Sequence, residues 1–192
     1  MLKIQLVDTN PEMCKSWVKY FSDCDDVTIH NTDFFNVAAD CVVSPANSFG
    51  FMDGSLDLVI SNKLGWGVQL SLQKIIRKQH DGELLVGQAV LIDTKHEEFP
   101  YCISAPTMRI PLLIKDTVNV YLAAKAIFLL LKKNPNITSV NISGLGTGVG
   151  RVPFDNCAKQ MRKAYLDFYL DRFMFPIALS EEMAHHHKLL ED

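Results

Sequence analysis

The sequence predicts an α/β fold, a three-layer α/β/α sandwich. Short apolar runs with strand character alternate with helical stretches along most of the chain. The 192 residues are 48% hydrophobic and 21% charged, enough for one sizeable core. Two glycine-bearing stretches each sit between an apolar run and a helical one, where open α/β sheets place their binding loops.

The elements follow in order. Residues 2–7 alternate and read as a strand. Asn10 and Pro11 read as an N-cap and first helical residue, so a helix is expected from Pro11 to Phe21. Val27 to His30 is a short strand, and Asp40 to Val43 a buried one ending at Ser44-Pro45. Helical spacing runs from Leu56 to Leu64 and from Val68 to His80, with Gly65 and Gly67 as breaks. Gln88 to Asp93 and Tyr101 to Ser104 are strands. Thr117 to Lys132 is a long helix stopped near Asn134-Pro135, Thr138 to Ser143 a strand, and Pro153 to Tyr169 the last long helix. No repeat or linker interrupts the chain, so residues 1–192 read as one domain. The segment from about residue 176 to 192 reads as a polar tail.

Charge and cysteine usage narrow the function classes. A formal net charge of −3 supplies no basic field for nucleic acid. The longest apolar stretch, Tyr121 to Leu131, contains Lys125 and is too short for a bilayer. Five cysteines without a CxxC pair, three of them in apolar runs, suggest free thiols in a reducing compartment, so a cytoplasmic location is expected. The start, MLKIQLVD, has a strand pattern rather than that of a signal peptide. His185, His186 and His187 diverge by about 100° per residue on a helix, cannot share one metal, and read as solvent-exposed. His30, His80 and His96 lack metal spacing, so neither a metal site nor a cofactor is expected.

Residues 144–150 read GLGTGVG, with glycine at every second position. Such a turn lets backbone N–H groups approach an anion closely at the positive end of a helix. The dinucleotide fingerprint would need glycine at 149, where Val149 stands. A Walker A loop would need Gly-Lys-Ser/Thr where Val149-Gly150-Arg151 stands. Residues 44–57, SPANSFGFMDGSLD, repeat the strand–loop–helix logic with Asn47, Gly50, Asp53, Gly54 and Asp57. The ends of the two strands at Val43 and Ser143 are expected side by side, with both loops on one crevice.

On these motifs the chain resembles the macro domain family. Ser44-Pro45-Ala46-Asn47 is similar to the family's Asn-Ala-Ala-Asn stretch, Gly146 to Arg151 to its second glycine loop, and Thr32 to Phe35 to its Gly-Asp-Ile-Thr stretch. The three occur in family order, and the resemblance covers about residues 27–170. It implies a mixed, mostly parallel sheet of about six strands and ADP-ribose, or an ADP-ribosylated substrate, as ligand. It further implies that Asp33 accepts a hydrogen bond from the adenine amino group and that Asn47 touches the distal ribose. Ala46, Gly54, Ser55 and Leu56 would line the first loop, and Gly146, Thr147, Gly148, Val149, Gly150 and Arg151 the diphosphate loop. Asp57 lies at the offset of the catalytic aspartate in members that hydrolyse ADP-ribosyl esters. Asp53 and Ser55 replace glycines of the usual run, and Gly150 and Val152 stand where many members carry aromatics, so less aromatic packing on the ribose is expected.

Other residues admit plainer readings. Asn47 also suits an Asx turn after Pro45, Asp33 a turn, Asp57 a complement to the helix end, and Arg109 a solvated loop. Three functions remain open: a hydrolase of ADP-ribosyl esters such as O-acetyl-ADP-ribose or modified carboxylates, a non-catalytic ADP-ribose reader, and an assembly protein that keeps the fold. Asp57 favours the first.

Overall fold

The computed structural model describes residues 2–191. The elements are β1 (Lys3–Asp8), α1 (Pro11–Phe21), β2 (Val27–Asn31), a 3-10 turn (Phe34–Asn36), β3 (Cys41–Ser44), α2 (Ser55–Leu64) and α3 (Gly67–Gln79). Then come β4 (Val90–Asp93), β5 (Tyr101–Ser104), α4 (Asn119–Lys133), β6 (Ser139–Ile142), α5 (Phe154–Ala164) with a π-helical turn (Tyr165–Tyr169), and α6 (Leu179–Leu190).

Six strands form one sheet in the order β2-β1-β6-β3-β5-β4. All pairs are parallel except the antiparallel β4–β5 edge. The strands are nearly continuous apolar runs because helices cover both faces. Alternate residues divide between two cores. Ile4, Leu6, Val43, Ile103, Val140 and Ile142 join α1, α4 and α5 on one face. Val7, Val42, Ile92 and Cys102 join α2 and α3 on the other. The first helix starts where the sequence signals it. The Asn10 side chain accepts a 2.9 Å bond from the Glu12 N–H, and Pro11 follows at the first helical position.

Polar residues fix the register that brings the two loops together. The Asp40 carboxylate accepts bonds from the Thr138 N–H and Oγ1 at 2.7 and 2.6 Å and from the Ser139 N–H at 3.1 Å, joining the starts of β3 and β6. Burial pushes its pKa up, but the Thr138 and Ser139 bonds outweigh that and hold it below the usual carboxylate range. Deeper in the sheet, Gln5 on β1 donates to Asn141 Oδ1 on β6 at 2.9 Å. The Asn141 amide donates to the Phe34 and Val37 carbonyls, and Gln5 also to the Ala38 carbonyl. These buried amides satisfy one another and tie residues 34–38 to the sheet.

Two expectations need correction. The C-terminal segment is not a tail: α6 docks on α5, with Leu189 buried. Gln160 Nε2 donates to the Leu189 carbonyl at 3.2 Å, Asn156 Nδ2 to the Leu190 carbonyl at 3.3 Å, and Lys159 to the Glu191 carbonyl. These side chains satisfy the open carbonyls of a helix end. His185 is not solvent-exposed; it is half-buried, with its ring edge-on to Tyr121 at 5.9 Å, whereas His186 and His187 are exposed. The connector before α6 carries exposed Met174, Phe175 and Ile177. Among the described residues no helix is long and apolar enough to cross a membrane, and no group of three or more His, Cys, Asp or Glu could hold a metal.

Candidate functional site

β3 and β6 are neighbours with Val42 opposite Asn141, so the chain leaves both strands at the same edge of the sheet. There the two glycine loops, the end of β1 and the segment after β5 enclose a cleft of about 420 Å³. This matches the expectation that the strand ends at Val43 and Ser143 share a crevice.

The first loop is rigidly built. Asn47 Oδ1 accepts from the Phe49 and Phe51 N–H groups at 3.1 and 3.3 Å, and Nδ2 donates to the Phe51 carbonyl at 2.8 Å. The Asx turn is therefore present, and Asn47 spends most of its amide on its own loop, leaving one amide hydrogen. Gly50 sits at φ +69°, where a Cβ would meet Leu72 and Ile76 at 2.9 Å. Gln69 Oε1 accepts from the Met52 N–H at 2.7 Å, and Ser61 donates to the Met52 carbonyl at 2.8 Å. The loop ends at Gly54, which caps α2 without a side-chain bond. The first helical bond runs from the Leu58 N–H to the Gly54 carbonyl, so among the described residues the N–H groups of Ser55, Leu56 and Asp57 have no partner at the positive helix end.

The second loop turns at Gly146, φ +71°. Its shape is held by the Val152 N–H to the Gly146 carbonyl at 3.2 Å and the Ile114 N–H to the Gly150 carbonyl at 2.9 Å. Thr147 Oγ1 donates back to the Gly144 carbonyl at 2.9 Å. The N–H groups of Gly148, Val149 and Gly150 have no partner among the described residues. A Cβ at Gly150 would lie 2.5 Å from the Gly146 carbonyl oxygen and 2.6 Å from Ile114 Cγ1, so this loop admits no side chain there. Val152 is buried in the core beneath it, not against the cleft.

The carboxylates define the chemistry. Asp57, on the first turn of α2, accepts a 2.6 Å bond from Ser44 Oγ at the end of β3. The residue is only half-buried, but burial of its carboxyl pushes the pKa up to about 6; Ser44 opposes the rise and the charge of Asp53 adds to it. Such a group is mostly ionised near neutrality yet basic enough to take a proton. Asp33 precedes the 3-10 turn, is exposed, and makes no capping bond with its side chain. Asp8, at the end of β1, accepts from the Asn10 N–H at 2.9 Å and the Gly144 N–H at 3.3 Å. Asp8, Asp33, Asp53 and Asp57 line the cleft, and none of its lining residues is Lys, Arg or His. An anion held here would be met by backbone N–H groups and the α2 dipole.

Asp33, Ala46, Asn47, Gly54, Ser55, Leu56, Asp57, Gly146, Thr147, Gly148, Val149 and Gly150 all line the cleft. Arg151 does not: it is exposed, at φ +56°, outside the lining. Arg109 is also spent elsewhere, in a two-pronged pair with Glu83 at 2.9 and 2.5 Å and over the Phe49 ring. The sequence reading missed Asp8, Thr9, Phe51, Met108 and Pro111. Phe51 is 54% exposed on the cleft wall, so the first loop supplies an aromatic that was sought in the second. The alternation of β1 could have flagged Asp8, a carboxylate closing an apolar strand at the carboxyl edge.

Comparison with known proteins agrees with this architecture. The family model "Macro domain" matches residues 43–161. An uncharacterized protein of Aquifex aeolicus (strain VF5) is 34% identical over 136 residues, 71% of this chain and 78% of that one. The macrodomain of Mycobacterium tuberculosis DarG superposes with a TM-score of 0.61 at 18% identity, over 71% of this chain and 87% of that chain. Thermosipho africanus DarTG, solved in complex with ADP-ribose, has a TM-score of 0.61 at 14% identity, over 98% of this chain and 57% of that one. With its six-stranded mixed sheet, its paired glycine loops and a family model matched over most of its length, the chain belongs to the macro domain family.

Proposed function

We propose that the cleft binds ADP-ribose and hydrolyses ADP-ribosyl esters. The binding half is supported by family membership and by unpaired N–H groups at two glycine-bearing loops, which suit a diphosphate. Exposed, uncommitted Asp33 suits the adenine amino group, and Phe51 and Phe34 give the cleft an aromatic wall. The observation that carries the hydrolase is Asp57, a carboxyl with its pKa raised to about 6, anchored by Ser44 at the cleft floor.

In this reading Asp57 takes a proton from a water as that water attacks the acyl carbon of the ester. The ribose oxygen leaves and regains the proton. Ser44 holds the carboxylate in one orientation, a positioning role worth several kcal/mol of barrier when geometry is kept. Asn47 braces the loop, and its remaining amide hydrogen serves a ribose hydroxyl.

The test is a calorimetric titration with ADP-ribose beside turnover of O-acetyl-ADP-ribose. Asp57→Ala should lower turnover about a hundred-fold or more, as loss of acid–base help does, with little change in binding. Asn47→Ala removes three loop bonds and should weaken both. A protein that binds ADP-ribose yet turns over no ADP-ribosyl ester is a reader, and the hydrolase falls.

A further inference from the structure

Beside the Ser44–Asp57 pair lies a buried hydroxyl with no task so far. Ser104, the last residue of β5, is fully buried, and its Oγ has no hydrogen-bond partner among the described residues. Its neighbour across the parallel ladder is Ser44, also fully buried. Val42 and Cys102, two residues before each serine, both pack in the core with α2 and α3. The two-residue period of a strand therefore puts Ser44 and Ser104 on that same face, on strands about 4.8 Å apart. Hydroxyl pairs on one face of neighbouring strands hydrogen-bond across the ladder. Ser44 spends its single proton on Asp57 at 2.6 Å, which leaves its oxygen free to accept. An unmet buried hydroxyl is costly, and a χ1 turn to another staggered position is cheap beside it.

We propose that Ser104 is a positioning residue of the cleft, acting on Asp57 through Ser44. Its catalytic consequence rests on the hydrolase reading above; the contact itself does not. With Asp57 ionised, Ser104 donates to Ser44 Oγ and Ser44 donates to the carboxylate. With Asp57 protonated, the carboxyl donates to Ser44 and Ser44 donates to Ser104. Each serine keeps its own hydrogen and only turns it, since a hydroxyl offers one donor and two acceptor sites. The chain thus supports both protonation states, and the carboxyl keeps its orientation while it takes a proton from water. In the ionised state the two bonds polarise one another and hold the negative charge more firmly. Few other titratable groups bear on Asp57. Asp53 of the first loop adds its charge, and Cys102 on β5 is a thiol that burial keeps neutral. Asp8 and Asp33 also line the cleft, and no Lys, Arg or His does.

The test is the titration of Asp57 in the full chain, followed through its carboxyl carbon shift by NMR. Ser104→Ala removes one atom and fits the same space, and a thermal melt checks that the variant folds. It should raise the Asp57 midpoint by about half a unit to one unit. In a Ser44→Ala background the same substitution should leave the midpoint in place, because the link between the two groups is gone. Turnover of O-acetyl-ADP-ribose by Ser104→Ala should fall about three- to ten-fold in kcat with KM unchanged, since Ser104 does not touch the ligand. A midpoint unmoved by Ser104→Ala overturns the proposal. So does an equal rise in both backgrounds, which would make Ser104 a general contributor to local polarity. A raised midpoint with undiminished kcat in an active protein overturns the positioning role as well. If the midpoint moves as expected in a protein that turns over no ADP-ribosyl ester, the hydrolase falls and the Ser104 contact stands.

Discussion

Replacing Asp57 by asparagine should make the protein more stable at neutral pH. Its carboxyl has a folded pKa of about 6 against an ordinary value of 3.8, chiefly because burial disfavours the charge. The folded state therefore holds a proton that the unfolded chain releases between those two values. Stability from this group is fully present below about pH 3.8 and is lost as pH rises through about 6. Two pKa units correspond to roughly 3 kcal/mol at most, and partial exposure of the residue reduces this to about 2 kcal/mol. Asparagine keeps the carbonyl oxygen that accepts the Ser44 bond and never ionises. Urea unfolding of both proteins at about pH 4 and about pH 7.5 isolates the effect, since every other titrating group is shared. At the higher pH the variant's midpoint should lie about 1 M above that of the parent, and the gap should close at the lower. A variant no more stable at neutral pH would show that the carboxylate is well solvated and would remove the physical basis for treating it as a tuned base.

Ser44→Ala should raise the titration midpoint of Asp57 by about one to two units, because a hydrogen bond to a charged group is worth about 1.5–3 kcal/mol; carboxyl carbon shifts followed by NMR read it directly. Asn141→Leu removes one of the two Gln5 bonds and strands the carbonyls of Phe34 and Val37, so it should cost about 2–4 kcal/mol in urea unfolding and speed amide exchange across residues 33–38. Gly150→Ala forces a methyl against the Gly146 carbonyl and Ile114 and should cost about 1–3 kcal/mol, visible in the thermal midpoint.

What the sequence made legible is what local chemistry decides. Asn10-Pro11 fixed the start of α1 because both the cap and the missing N–H act within one turn. Cys41 to Ser44 read as a buried strand because a covered parallel strand has no polar face to hide. The glycines at 144–150 signalled a loop, since positive φ and close approach admit little else. The misses lie where partners are far apart in sequence. α6 offers one buried apolar residue, Leu189, and its docking rests on Asn156, Lys159 and Gln160, about thirty positions earlier. Asp8 joins the cleft only because β1 lies beside β6, a neighbour relation that no periodicity reveals. The double service of Asn47 was open in the sequence; the close approach of Phe49 and Phe51 shows the turn.

The cleft lining holds four carboxylates and no cationic side chain. For an anionic ligand this separates what happens at a distance from what happens on contact. Within about a Debye length the approaching ligand meets a repulsive field; within hydrogen-bond reach it meets the backbone donors of the two loops. Capture of such a ligand should then quicken as ionic strength rises, the reverse of electrostatic steering. Once seated, its residence depends on the fixed shape of two loops, so the entrance would be kinetically guarded while the floor remains hospitable.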